Sequence, residues 1–179
     1  MLMLRFLPVA PTLTLIGCAG AQVSDWPVKI GWPYSVRGVT YVPAAAPGYE
    51  VVGYASWYGS ESGNRTANGE RYRARWVSGA HTTLPLPSYV EVTALTTGRT
   101  ILVRVNDRGP FSPTRVIDLS RGAARLLGIE QAGRAEVHVQ LVDPPERDRA
   151  RLRRGKPAVA RREASPGQLA AWRSVLAAQ

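Results

Sequence analysis

Two runs of alternating apolar residues, Tyr89–Leu95 and Thr100–Asn106, are separated only by Thr96-Thr97-Gly98-Arg99. Alternation puts every second side chain on one face, and a Gly-containing loop this short folds the second run directly back on the first, so the pair predicts a β-hairpin. Val51–Tyr58 is also β-rich and Arg115–Leu119 is a shorter run. Ala135–Val142 places Val137, Val139 and Leu141 on one face and Glu136, His138 and Gln140 on the other, which puts His138 on the surface. Ser120 is positioned to cap a helix running through Leu127, with Gly128 just past its end. One short helix among about six strands predicts a small, mainly β barrel and not a doubly wound sheet. The 14 Pro and 17 Gly of the 179 residues argue against a helical bundle.

The ends read differently from the middle. Residues 1–17 carry one early Arg and an apolar run, the pattern of a secretory signal that is too short to span a bilayer. Leu15-Ile16-Gly17-Cys18 resembles the bacterial lipobox, which would make Cys18 a lipidated N-terminus. Ala19 after it implies outer-membrane sorting, so the expected location is the lipid-anchored periplasmic face of the outer membrane. Residues 18–48 hold Pro27, Pro33, Pro43 and Pro47 without sustained periodicity and are expected to be a flexible, extended linker wrapping back on the barrel. The barrel is assigned to 49–142.

The net charge of +10 is concentrated in residues 143–179, where Arg147, Arg149, Arg151, Arg153, Arg154 and Lys156 crowd together. Such a stretch is expected to be mobile, with a short amphipathic helix over Gln168–Ala178. It either remains a solvated extension or holds anionic lipid or a partner. An outer-membrane location excludes nucleic acid as the partner of this charge. A single Cys with only His81 and His138 excludes the common cysteine-rich zinc sites, and no metal or cofactor is expected.

Five ordered blocks lie between Gly53 and Ser120: Gly53-Tyr-Ala-Ser-Trp-Tyr-Gly59, Thr66-Ala-Asn-Gly-Glu70, Ala80-His-Thr-Thr-Leu-Pro85, Val103-Arg-Val-Asn-Asp-Arg-Gly-Pro-Phe111 and Val116-Ile-Asp-Leu-Ser120. With Lys29–Tyr34 and Tyr41–Pro43 upstream, the chain resembles the rare lipoprotein A (RlpA) family over about residues 28–142. The resemblance implies a six-stranded double-psi β-barrel and lytic transglycosylase activity on peptidoglycan. The implied cut is at the MurNAc–GlcNAc β-1,4 linkage of strands stripped of stem peptides, leaving 1,6-anhydro-MurNAc. It also implies that Glu70 and His81 are required, and related barrels place an essential Asp near Asp107. Many members end in a septal glycan-binding domain, which residues 143–179 do not resemble, and cell-wall or division proteins remain candidate partners. An expansin-like module that binds glycan without cutting it is the alternative.

The residues can be asked for the same chemistry. Cleavage through an oxocarbenium-like transition state needs a carboxylic acid to protonate the leaving oxygen. Glu70, Asp107 and Asp118 are the candidates in the blocks. Asp107 sits at a strand end, where a barrel presents reactive groups, and is the expected acid; otherwise it makes an Asx turn. Its neighbour Arg108 would oppose that role by lowering its pKa, and Glu70, with no guaranteed basic neighbour, then becomes the acid. Arg108 either contacts the lactyl carboxylate of MurNAc or tunes Asp107. Asp118 is expected to pair with Arg104 or Arg108. His81 orients a carboxylate, contacts sugar, or is a satisfied barrel histidine. Trp57, Tyr58 and Tyr72 either stack on sugars or belong to the core.

Overall fold

The computed structural model describes residues 23–59 and 63–179. The signal sequence and Cys18 lie outside the described residues. Eight strands and three helices follow in order: β1 (Tyr34–Val36), β2 (Val39–Tyr41), β3 (Glu50–Tyr58), β4 (Ser78–Ala80), β5 (Ser88–Ala94), β6 (Thr100–Asp107), β7 (Ile117–Ser120), α1 (Arg121–Leu127), β8 (Arg134–Leu141), α2 (Glu146–Arg153) and α3 (Pro166–Ala177). β1 and β2 form a separate hairpin, and the other six strands close into a barrel in the order β3-β7-β4-β6-β5-β8. The pairs β3–β7 and β4–β6 are parallel and the remaining contacts antiparallel.

The hairpin expected from alternation is β5–β6, with Val90 opposite Val103 and Val92 opposite Ile101. Val90, Val92, Val103, Val105, Val137 and Val139 are fully buried, each stabilising the fold by roughly 1.5–3 kcal/mol relative to exposure. β6 is buried on both faces from Ile101 to Asn106, which puts Arg104 inside the protein at 3% exposure. α1 is capped as its sequence dictates: the Ser120 hydroxyl accepts from Ala123 N, and Gly128 closes the helix at φ 87°. The same hydroxyl donates to Trp76 O and accepts from Ser78 N, so one cap also anchors the short strand β4.

Three expectations need correction. The residues after Asp143 are not a mobile extension but carry α2 and α3; α3 is the terminal helix expected over Gln168–Ala178, and α2 was not expected. α2 is favoured by Glu146 and Asp148 in its first turn and Arg151 and Arg153 in its last, and α3 opens with a full capping box between Ser165 and Gln168. Two arginines of the tail reach acids far away in sequence as well as acids within it. Arg161 bridges Asp148 (3.0 Å) and Glu91 (2.7 Å), and Arg153 bridges Asp25 and Glu146. His138 is not a surface residue: it is buried, hydrogen-bonded to Glu50 at 2.7 Å, and stacked 3.9 Å from Trp172 of α3. On the polar face of β8, His138 is covered by the very tail that local composition left unpacked. Finally, Asp118 pairs with neither Arg104 nor Arg108, as described below. The segment before the barrel does wrap back: Lys29 bridges Leu86 by backbone hydrogen bonds, and Asp25 reaches Arg104 and Tyr89.

Candidate active site

β6 ends at Asp107, whose carbonyl accepts from His81 N at 3.0 Å. One carboxylate oxygen, Oδ1, accepts from Ala67 N and Arg108 N, both at 2.8 Å. The other has no hydrogen-bond partner among the described residues, and the side chain lines a groove of about 420 Å³ with Tyr58, Arg108, Phe111, Arg115 and Asp118. Burial pushes the Asp107 pKa up, and the two backbone donors and the Arg108 charge do not fully offset it, so the carboxyl is held above its ordinary range. Arg108 opposes this only weakly because its guanidinium is engaged elsewhere. Nη1 donates to His81 O (3.2 Å) and Leu84 O (2.5 Å), and Nη2 to Ile30 O (2.9 Å).

Asp118, on β7, accepts from Ser56 Oγ (2.7 Å) and from Arg115 Nε (2.8 Å) and Nη2 (3.3 Å). It lines the groove beside Asp107, but its carboxylate is spent on these partners.

Glu70 lies in a narrower recess with Tyr72, Arg104 and Asn106. Its carboxylate is saturated: Arg104 donates through both Nη atoms (2.7 and 2.8 Å), Asn106 Nδ2 at 2.8 Å and Asn68 Nδ2 at 2.9 Å. Burial raises its pKa, but these donors, Arg104 foremost, outweigh burial and bring it below the ordinary value. The same loop is tied to β6 by Asn68 N donating to Asn106 O at 3.1 Å, and it turns at Gly69 with φ 84°. Glu70 therefore clamps the loop that presents Ala67 N to Asp107. It is one link away from the groove and does not line it.

His81 is buried at 3% exposure. Nδ1 accepts from Thr83 N (3.1 Å) and Leu84 N (3.0 Å), which fixes the proton on Nε2, where it is donated to Tyr49 Oη at 2.9 Å. Burial, reinforced by the Arg108 charge, brings its pKa down to about 4. Nδ1 of this neutral imidazole thus shapes the 81–84 turn whose carbonyls hold Arg108, and Nε2 ties that turn to Tyr49. Between pH 6.5 and 4 the unfolded chain takes up a proton here that the folded chain does not, so acidification through that window costs on the order of 3 kcal/mol of stability. Denaturant midpoints across the window should fall less steeply in a His81→Gln variant; identical slopes would show that His81 does not titrate this way.

Of the aromatic candidates, Tyr58 lines the groove. Tyr72 packs against it with ring centroids 5.1 Å apart and donates to Tyr58 O at 2.9 Å. Trp57 packs against the core and donates to Glu130 O at 3.0 Å. Sequence reasoning missed Arg37, Arg65 and Arg115 in the groove wall, since Arg37 lies in a segment without periodicity. It also missed the buried arrangement of Asp25, Arg104 and Glu70, in which Arg104 Nε donates to Asp25 Oδ1 at 2.9 Å.

The family of double-psi β-barrel lytic transglycolases matches residues 50–139, the barrel from β3 into β8. The chain belongs to this family. It is 54% identical over 114 residues to the endolytic peptidoglycan transglycosylase RlpA of Pseudomonas aeruginosa, covering 63% of this chain and 33% of that protein. To the proteins of the same description in Vibrio cholerae and Rickettsia bellii it is 47% identical over 120 residues and 42% over 116, covering 65% and 63% of this chain and 46% and 51% of theirs. The chain thus spans a third to about half of the length of these relatives. Among solved structures, the Streptomyces papain inhibitor aligns with 56% of this chain and all of its own at a TM-score of 0.47 and 24% identity. A Clavibacter michiganensis expansin aligns with 54% of this chain and 52% of its own at 0.42 and 21%. This lytic transglycolase barrel carries its groove where β6 and β7 run side by side with β4.

Proposed function

We propose that the chain is a peptidoglycan lytic transglycosylase that cleaves the MurNAc–GlcNAc β-1,4 bond of strands lacking stem peptides, with Asp107 as its single acid and base. The observation that carries this reading is the Asp107 carboxyl, raised by burial and held by one oxygen on two backbone N–H groups beside an Arg-rich groove. The protonated carboxyl gives its proton to the glycosidic oxygen as the bond to C1 breaks. The MurNAc C6 hydroxyl then attacks C1 and returns its proton to Asp107, so the 1,6-anhydro ring forms without water and the enzyme is restored. Glu70 and His81 act as positioning residues: the first fixes the loop that supplies Ala67 N, the second the turn that draws Arg108 away from Asp107. The arginines suit strands whose lactyl carboxylates are free of peptide.

Mass spectrometry of glycan digested with the full chain tests this. Anhydro-MurNAc ends are expected; glycan that is bound but unchanged in length would instead make the chain an expansin-like binding module. We also propose that Cys18 is acylated and holds the protein at the periplasmic face of the outer membrane. A Cys18→Ala variant should then leave the outer-membrane fraction, and its retention there would remove the anchor.

A further inference from the structure

The large apolar side chains that remain exposed are concentrated just upstream of the barrel, and two are indoles in almost full contact with water: Trp26 at 81% and Trp32 at 89% exposure. Apolar surface gathered in this way marks a contact face more often than a chance excess. The segment bearing Trp32 is tied to the Asp107 groove through Arg108. Ile30 O accepts from Arg108 Nη2 at 2.9 Å, and Tyr34 Oη donates to Thr82 O at 2.8 Å. Tyr34 stacks on Tyr41 with centroids 5.4 Å apart, and both rings meet Phe111, at 6.2 and 5.6 Å. Phe111 and Arg37, in the turn between β1 and β2, in turn line the groove with Asp107. A Cβ on Gly31 would lie 3.4 Å from Arg108 Nη2, so Trp32 directly follows a residue packed against the groove lining.

We propose that Trp32 and Phe111, backed by Tyr34 and Tyr41, form a glycan-stacking platform that holds a sugar of the same strand outside the linkage being cut. The proposal rests on the reading of the Asp107 groove as the glycan site. A pyranose has an apolar C–H face and a polar rim, and an exposed indole offers it a flat apolar partner while leaving the rim hydrated. Two features favour a polysaccharide over a lipid surface. The platform meets the groove at Phe111, so a polymer threaded past Asp107 runs beside it. Arg37 and Arg65 in that groove form no ion pair or hydrogen bond through their side chains among the described residues, leaving cations for the carboxylates of an acidic sugar.

The test uses the full chain carrying Asp107→Asn, which binds without turning over, and glycan strands freed of stem peptides. Adding Trp32→Ala should weaken binding roughly tenfold, Phe111→Ala should weaken it less, and Trp26→Ala should leave it unchanged. Unchanged affinity in the Trp32→Ala variant, or equal losses at Trp26 and Trp32, would overturn the platform. So would unchanged glycan binding with reduced partition onto phosphatidylglycerol vesicles, which would mark a membrane-facing stripe, and so would a parent that binds no glycan. Cleavage is read separately, from anhydro ends made by the chain with Asp107 intact. Their absence, with the tenfold loss retained, would remove the enzymatic reading and keep the platform; their presence with unchanged binding would remove only the platform.

Discussion

An Asp107→Asn substitution is expected to lower turnover on stem-peptide-free glycan by about 10²–10⁴-fold while leaving glycan affinity nearly unchanged. The amide keeps the geometry: its carbonyl oxygen can accept from Ala67 N and Arg108 N as Oδ1 does now, and its nitrogen takes the place of Oδ2. What it loses is the acidic proton that can pass to the leaving oxygen. The pH dependence follows from the raised pKa. The proposed mechanism needs the protonated form, so kcat in the unmodified chain should fall as pH rises through the Asp107 pKa, which burial has moved above the ordinary 3.8. Stability has the same sign. A carboxyl that binds its proton more tightly when folded destabilises the fold once pH passes that pKa, so the Asp107→Asn variant should unfold at the same or higher denaturant concentration at neutral pH. Full turnover in the variant would remove Asp107 from the chemistry, and lost binding with turnover intact on saturating glycan would make it a binding residue.

How much of this could be read from the sequence depends on how local each feature is. The β5–β6 hairpin and the caps of α1 at Ser120 and Gly128 follow from residues within a few positions of one another, and they stand in the structure as the sequence dictates. β4 could not be read: Ser78-Gly79-Ala80 has no periodicity, and it becomes a strand only because β6 and β7 flank it. The Arg-rich tail misled for the same reason, since Asp25 and Glu91 lie on distant segments. At the site, adjacency in sequence proved a poor guide to charge. Arg108, next to Asp107, turns to three carbonyls. Glu70 is followed directly by Arg71, yet its carboxylate receives Arg104 from 34 positions away.

Arg104 is where the second large effect is expected. Its guanidinium is buried, donates to Asp25 and twice to Glu70, and spends a further bond on Ser24 O at 2.8 Å. Removing it with Arg104→Met would leave two largely buried carboxylates, 16% and 14% exposed, without the cation they share, Asp25 keeping Arg153 and Glu70 only its two asparagines. Breaking a buried pair in this way costs about 3–5 kcal/mol, because the desolvation of the remaining charges is no longer offset. The pH dependence separates this from lost packing. In the unmodified chain both carboxyls titrate below their ordinary values, burial being outweighed by Arg104, so their contribution is present above the unfolded pKa and lost as pH falls through the folded one. In the variant burial acts with less opposition and the two pKa values rise, so acidification neutralises them and relieves the strain. The stability gap between the two proteins should therefore be widest at neutral pH and narrow below about pH 4. Adding Asp25→Asn and Glu70→Gln to Arg104→Met should recover a large part of the loss, whereas additive losses would show three independent residues instead of one coupled network. The same unfolding series bears on catalysis. Glu70 fixes the loop that supplies Ala67 N, so the Arg104→Met protein should also lose turnover under conditions where it is still folded, through Asp107, a residue that Arg104 does not touch.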